Sequence, residues 1–192
     1  MTDPPVLVCK VAWMERYQGA DGDKPIGGGG FVVDYGFGYE VYNFYPFNGR
    51  LYGYVRAPGN SGTFNIDRLS TRARFAQALG GVTVIWVATS PLDGTTYIVG
   101  WYNNATVYRK NRDPEGDLAQ ARHVLTGQGD EFKTCSYQIE ADVRDGVCLA
   151  LDERTFDIPV GRGKGGMGQA RIWYPPDSKA GRLLERIQLQ RR

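Results

Sequence analysis

Residues 82–90 and 96–109, VTVIWVATS and TYIVGWYNNATVYR, are two apolar, β-branched runs either side of a short turn at residues 91–94. Runs rich in Val, Ile, Thr and aromatic residues, bounded by Pro, Asp and Gly, form paired strands. A pair this long commits the chain to a sheet, and every other segment must be placed around it. The second run ends in Trp101-Tyr102-Asn103-Asn104, so two rings and two amides gather where a strand finishes. Rings stack on flat ligands, and amides read hydrogen-bonding edges.

The other segments point to strands joined by turns. Residues 6–13, VLVCKVAW, read as a first strand, and residues 14–30 as a polar connection ending in Gly27-Gly28-Gly29-Gly30. Residues 31–35 and 39–45 are strand-like. Asn48-Gly49 favours a type I′ hairpin turn, with residues 52–55 returning. Residues 57–63 are a Pro/Gly/Ser loop, and residues 70–79 read as a short helix capped by Ser70 and closed by Gly80. A charged loop covers 110–118, and a further strand pair is expected at 134–143 and 146–151 around Asp145-Gly146. Residues 159–170 form a second glycine-rich loop before a last strand at 171–174. After Pro175-Pro176, Asp177 or Ser178 caps a terminal helix with Leu183, Leu184 and Ile187 on one face. With 26 Gly, 10 Pro and 24 aromatic residues (12 Tyr, 8 Phe, 4 Trp) and no βαβ alternation, the chain reads as mainly β (α+β). The expected form is a curled antiparallel sheet or barrel with a few peripheral helices. One domain spans 1–192, with its core at about 6–176 and with 177–192 as a C-terminal helix or the start of a linker.

Several chemistries are excluded or weak. The single histidine, His123, rules out two-His zinc fingers, HNH nucleases and HExxH proteases, and no GxSxG elbow accompanies it. Cys9, Cys135 and Cys148 lack CxxC spacing and sit in apolar contexts, as reduced, buried thiols of a cytoplasmic protein would. No apolar run reaches membrane-spanning length, so no membrane partner is expected. The loop GRGKGGMG at 161–168 resembles a phosphate loop but lacks the Lys-Ser/Thr pair of a Walker A motif. Its amides, with Arg162 and Lys164, suit a nucleic-acid phosphate. The Glu-x-Lys of Asp130-Glu131-Phe132-Lys133, and the grouping of Asp152, Glu153 and Asp157, leave a small metal-dependent nuclease or hydrolase as an alternative. No catalytic residue, metal site or cofactor is assigned.

Net charge is only +2, so global charge does not announce a nucleic-acid partner. Basic residues cluster locally instead, at Arg68, Arg72 and Arg74, at Arg109, Lys110 and Arg112, and at Arg162, Lys164 and Arg171. Strand alternation puts Trp86 with Val82, Val84 and Ala88 in the core. The same alternation puts Trp101 with Tyr97 and Val99 on one face, and Ile98, Gly100 and Tyr102 on the other. Gly100 then leaves open space beside Tyr102 for a pocket edged by Asn103 and Asn104.

The motifs KVAWMERYQG, EVYNFYPFNGRLYGYV, FNIDRL, GVTVIWVA, VGWYNNATVYR and GGMGQARIWY resemble a prokaryotic and phage domain family. Its members often stand N-terminal in larger proteins, some with nuclease domains. The resemblance runs from about residue 8 to residue 176. A looser similarity, one of style, is to the PUA superfamily of YTH, EVE, ASCH and SRA-type readers, small barrels that hold a modified or flipped base in an aromatic pocket. That similarity implies a PUA-like barrel with Trp13, Trp101, Tyr102, Asn103 and Asn104 around the base, and Arg109, Arg162, Lys164 and Arg171 on phosphates. The expectation is a nucleic-acid-binding module, for DNA rather than RNA, reading modified bases and giving specificity to a nuclease domain or subunit. A protein-interaction domain is the remaining alternative.

Overall fold

A computed structural model describes residues 3–27, 30–57, 62–125, 132–158, 166–168 and 170–190. Its centre is the expected pair of long strands, β4 (Ala78–Thr89) and β5 (Thr96–Arg112). Around them lie β1 (Val6–Val11), β2 (Pro46–Phe47), β3 (Arg50–Gly53), β8 (Tyr137–Asp142), β9 (Gly146–Cys148) and β10 (Ile172–Trp173). The strand path is β10-β1-β4-β5-β8-β3-β2, with β9 also on β5. β6 (His123–Leu125) and β7 (Phe132–Thr134) make a separate pair.

Two expectations are corrected here. The described path has two free ends, so the sheet is open and is not curled shut into a barrel. It is also mixed, because β1 runs parallel to β4 while the other pairings are antiparallel. A parallel neighbour needs a long crossover. Residues 12–77 supply it, laying Met14, Tyr17, Phe37, Val41, Phe44, Phe64 and Ile66 over one face against Leu7, Cys9, Val84, Trp86 and Tyr102. The opposite face carries Val6, Val8, Ile85, Val87, Ile98 and Trp101. It is covered by α3 (Asp177–Leu189) through Leu183, Leu184 and Ile187, and by Leu149 and Ile158. Burial on both faces explains why β4 reads as a continuous apolar run.

Local differences have local causes. Residues 31–35 and 39–42 are not strands: α1 (Gly30–Tyr35) and a 3-10 turn (Tyr39–Tyr42) replace them. Val32, Val41 and Tyr42 are buried there and Tyr35 and Tyr39 pack, partly buried, against the core, and such packing overrides strand propensity. The helix expected at 70–79 is one 3-10 turn (Thr71–Ala73), with the Ser70 hydroxyl accepting from Arg72 N–H at 3.3 Å. β5 extends into the expected charged loop, which then turns into the short α2 (Gly116–Ala121). β8 and β9 do not pair with each other. Both lie antiparallel along β5, one after the other, as a single strand broken at Val143–Asp145. The Asn48-Gly49 turn is present, with φ of 47° and 74° at its two residues.

The β4–β5 pair contains three register shifts. One uses Gly80-Gly81, one Asn103-Asn104, and one Val99. Each adds a residue on one strand and strengthens local twist. The extra residue at Val99 also flips the side-chain parity beyond it. Ile98 and Trp101 therefore share one face, and Val99 and Tyr102 the other.

Candidate functional site

The two rings at the strand end singled out by the sequence line no pocket among the described residues, and Asn103 lines a separate cavity of about 290 Å³ beside α3. Trp101 and Tyr102 are both fully buried, and they sit in two different cores on opposite faces. Tyr102 packs edge-on against Trp86 and Phe44, at centroid distances of 5.3 and 5.4 Å. The space expected beside Gly100 is occupied, since a β-carbon there would overlap the Val147 carbonyl oxygen and the Phe44 ring. Asn104 takes a left-handed conformation, φ 49°, and Asn103 lies half-buried near α3. This amide pair serves the bulge. Asn tolerates positive φ better than most residues, which accounts for its presence.

Arg109 is likewise committed elsewhere. Its guanidinium donates to the carbonyls of Ala76 (2.9 Å) and Ala73 (2.8 Å) and pairs with Asp67 at 2.7 Å, fastening the 70–77 segment to β5. Arg162 and Lys164 lie outside the described residues. Among those residues no three His, Cys, Asp or Glu side chains come together as a metal site. His123 is exposed, and Cys9 and Cys135 are buried free thiols. No described helix is long and apolar enough to cross a membrane.

The remaining two candidates, Trp13 and Arg171, do converge. They line a cleft of about 450 Å³ with Lys10, Glu40, Thr89 and Thr96. That volume falls in the usual range for small-ligand sites. Topology places it: β1 and β4 are the parallel pair, so their carboxyl ends open on the same edge of the sheet. β10 runs back beside β1, where Lys10 N–H bonds the Arg171 carbonyl at 2.7 Å and brings the two cations together. Gly27 and Gly168, the described ends of the two glycine-rich stretches, also line the cleft.

Trp13 is held from behind. The Arg154 guanidinium lies 4.7 Å from its ring centre and donates to the carbonyls of Met14 (2.7 Å), Glu15 (2.6 Å) and Leu149. Arg154 is itself buried, and a cation there is tolerated because backbone oxygens satisfy its fork. Reciprocal backbone bonds between Trp13 and Ile26, at 2.9 and 2.8 Å, fix the main chain. Asp23 accepts from the N–H groups of Glu15, Arg16 and Tyr17, and the Tyr17 hydroxyl donates to Ala12 O at 2.8 Å. The wall is thus pre-ordered.

Glu40 is the buried carboxyl of the cleft. The 3-10 turn folds its side chain back over Gly38, where a β-carbon would collide with it. Burial raises its pKa, against the lowering effect of bonds from its own N–H and that of Ala12 and of the nearby Arg171 charge. Lys10 is pulled down by burial and by Arg171. Neither Lys10 nor Arg171 has an ion pair among the described residues. Unpaired cations in a concave, partly desolvated site attract an anion. Glu40 adds to the same cleft a buried carboxyl whose pKa burial raises.

Lys10, Glu40 and Arg154 escaped the sequence reading. Their only signals are single charges within apolar or aromatic runs, as in VLVCKV and YEVY. Searches against family models, curated proteins and solved structures found no match to this chain.

Proposed function

We propose that the protein is a nucleic-acid-binding module, with the base received beside Trp13 and the backbone phosphate held by Lys10 and Arg171. The observation that carries this reading is the convergence in one cleft of one braced, half-exposed indole, a buried carboxyl and two cations that have no ion pair among the described residues. An indole offers stacking that tolerates any base. The cations answer the phosphate charge, and the carboxyl can pair with a base edge. The similarity to PUA-superfamily readers then lies in the mode of recognition, with the pocket moved from the end of β5 to the end of β1. A modified DNA base, flipped from a duplex or already unpaired, is the ligand, and an effector nuclease is the partner, in keeping with the family resemblance. Extrusion costs a few kcal/mol, which stacking and phosphate contacts recover.

Fluorescence polarisation with modified and unmodified duplexes and single strands, over a range of salt, tests the reading. Binding should weaken as salt rises, because phosphate contacts release counterions. Absent or salt-insensitive binding to every nucleic acid would sink it.

A further inference from the structure

A smaller compartment of about 210 Å³ adjoins the cleft, lined by Val32, Tyr39, Tyr54 and Arg56. Glu40 and Arg171 line both. The compartment is too small to stand as an independent ligand site, so its meaning depends on its neighbour. Its walls are nonetheless built. The Tyr39 and Tyr54 rings lie 5.0 Å apart, tilted by 53°. The buried Asn43 amide clamps the Tyr54 backbone, accepting from its N–H at 2.8 Å and donating to its carbonyl at 3.1 Å. The groove therefore has an aromatic wall on each side of a shared, half-buried guanidinium that has no ion pair among the described residues.

We propose that the two compartments form one groove for two successive nucleotides of an unpaired strand, one base on Trp13, the next on Tyr39 and Tyr54, and the phosphate between them on Arg171. This rests on the nucleic-acid reading above and narrows it to a strand with at least two exposed bases. A lone flipped base fills only the larger compartment. Arg56, exposed at the rim, meets the next phosphate along. Glu40, the other shared side chain, meets a phosphate without repulsion in its neutral form, which burial favours.

Intrinsic tryptophan fluorescence of the whole chain should be titrated with thymidine 3′,5′-bisphosphate and with the dinucleotide pTpT. The first carries two phosphates but one base, so charge does not produce the difference. The dinucleotide should bind at least about fivefold tighter, the lower end of what one stacked base supplies. Tyr54→Leu should erase that gain and leave the bisphosphate affinity within about twofold. Should Tyr54→Leu misfold, Arg56→Ala, at an exposed position, decides: tested with pTpT and TpTp, which carry their terminal phosphate at opposite ends, it should weaken the one that presents a phosphate beyond the second base and leave the bisphosphate unchanged. Salt-sensitive binding with equal affinity for the two ligands, or an equal loss of both in the variants, overturns the two-nucleotide groove alone. Loss of salt-sensitive binding to nucleotides, single strands and duplexes together overturns the nucleic-acid reading itself.

Discussion

Two tryptophans with similar sequence surroundings have opposite fates. Trp101 and Trp13 each stand near the end of an apolar run and precede polar residues. Trp101 belongs to β5, which has β4 on one side, β8 and β9 on the other, and both faces covered. Trp13 lies just beyond β1, one strand from the sheet edge, with Arg154 behind it and the cleft beside it. A ring in a central strand has no side left for a ligand. A ring just past the end of a near-edge strand can be buttressed and still partly exposed. Position within the sheet, rather than local composition, separates a ring sealed in the core from one left open to a cleft.

Substitutions at the two sites should separate most sharply in stability. Trp101→Ala should cost about 3–5 kcal/mol in denaturant unfolding, as truncation of a buried Trp does. Trp13→Ala should cost clearly less. It should instead weaken nucleic-acid affinity by about 1–3 kcal/mol in fluorescence polarisation. Equal destabilisation by both would erase the distinction drawn here.

The next effect is in salt dependence. Removing Lys10 or Arg171 should lower the slope of log affinity against log salt by roughly 0.7–1 each. Removing Arg109 should leave the slope unchanged and reduce stability, because its guanidinium already serves Asp67 and two carbonyls.

Smaller still is the pH effect. A bound phosphate favours the protonated form of Glu40, whose pKa burial has already raised. Affinity should therefore rise as pH falls through that raised range, by at most about tenfold per pH unit. Glu40→Gln should flatten the profile. Around Glu40 stand Arg171 and Lys10, the Tyr17 and Tyr54 hydroxyls and the Cys135 thiol. Burial pushes Tyr54 and Cys135 up to about 12 and raises Tyr17 as well, so these three stay neutral over that range. A profile that survives Glu40→Gln would assign the effect to another group. The smallest effect belongs to Tyr102→Phe. Its buried hydroxyl has no hydrogen-bond partner among the described residues, so unfolding should show stability unchanged or raised by up to about 1 kcal/mol.

The frame was legible where local rules suffice. The β4–β5 pair, the Asn48-Gly49 turn and the apolar face of α3 follow from periodicity and turn chemistry. The parallel β1–β4 pairing and the open sheet did not follow, because partner choice depends on contacts distant in sequence. Parity failed at one residue, Val99, since an extra residue in a strand leaves no mark on the alternation before it. Trp13 and Arg171 were singled out in the sequence, and the structure brings both to one cleft. Glu40 and Arg154 were not, because what distinguishes them is burial among carbonyls and amides contributed from elsewhere in the chain.

The pairing of β1 also bears on the order of assembly. Strand β1 finds one neighbour in β4, after the whole crossover, and its other in β10, much further along the sequence. Pairings so distant in sequence close slowly, and domains form as their segments become available during synthesis. β4 and β5 can pair as soon as both have emerged. The cleft, which needs Lys10 and Arg171 side by side, can form only after the β4–β5 pair, so a nascent chain, or one shortened before β10, would have its central hairpin and no cleft.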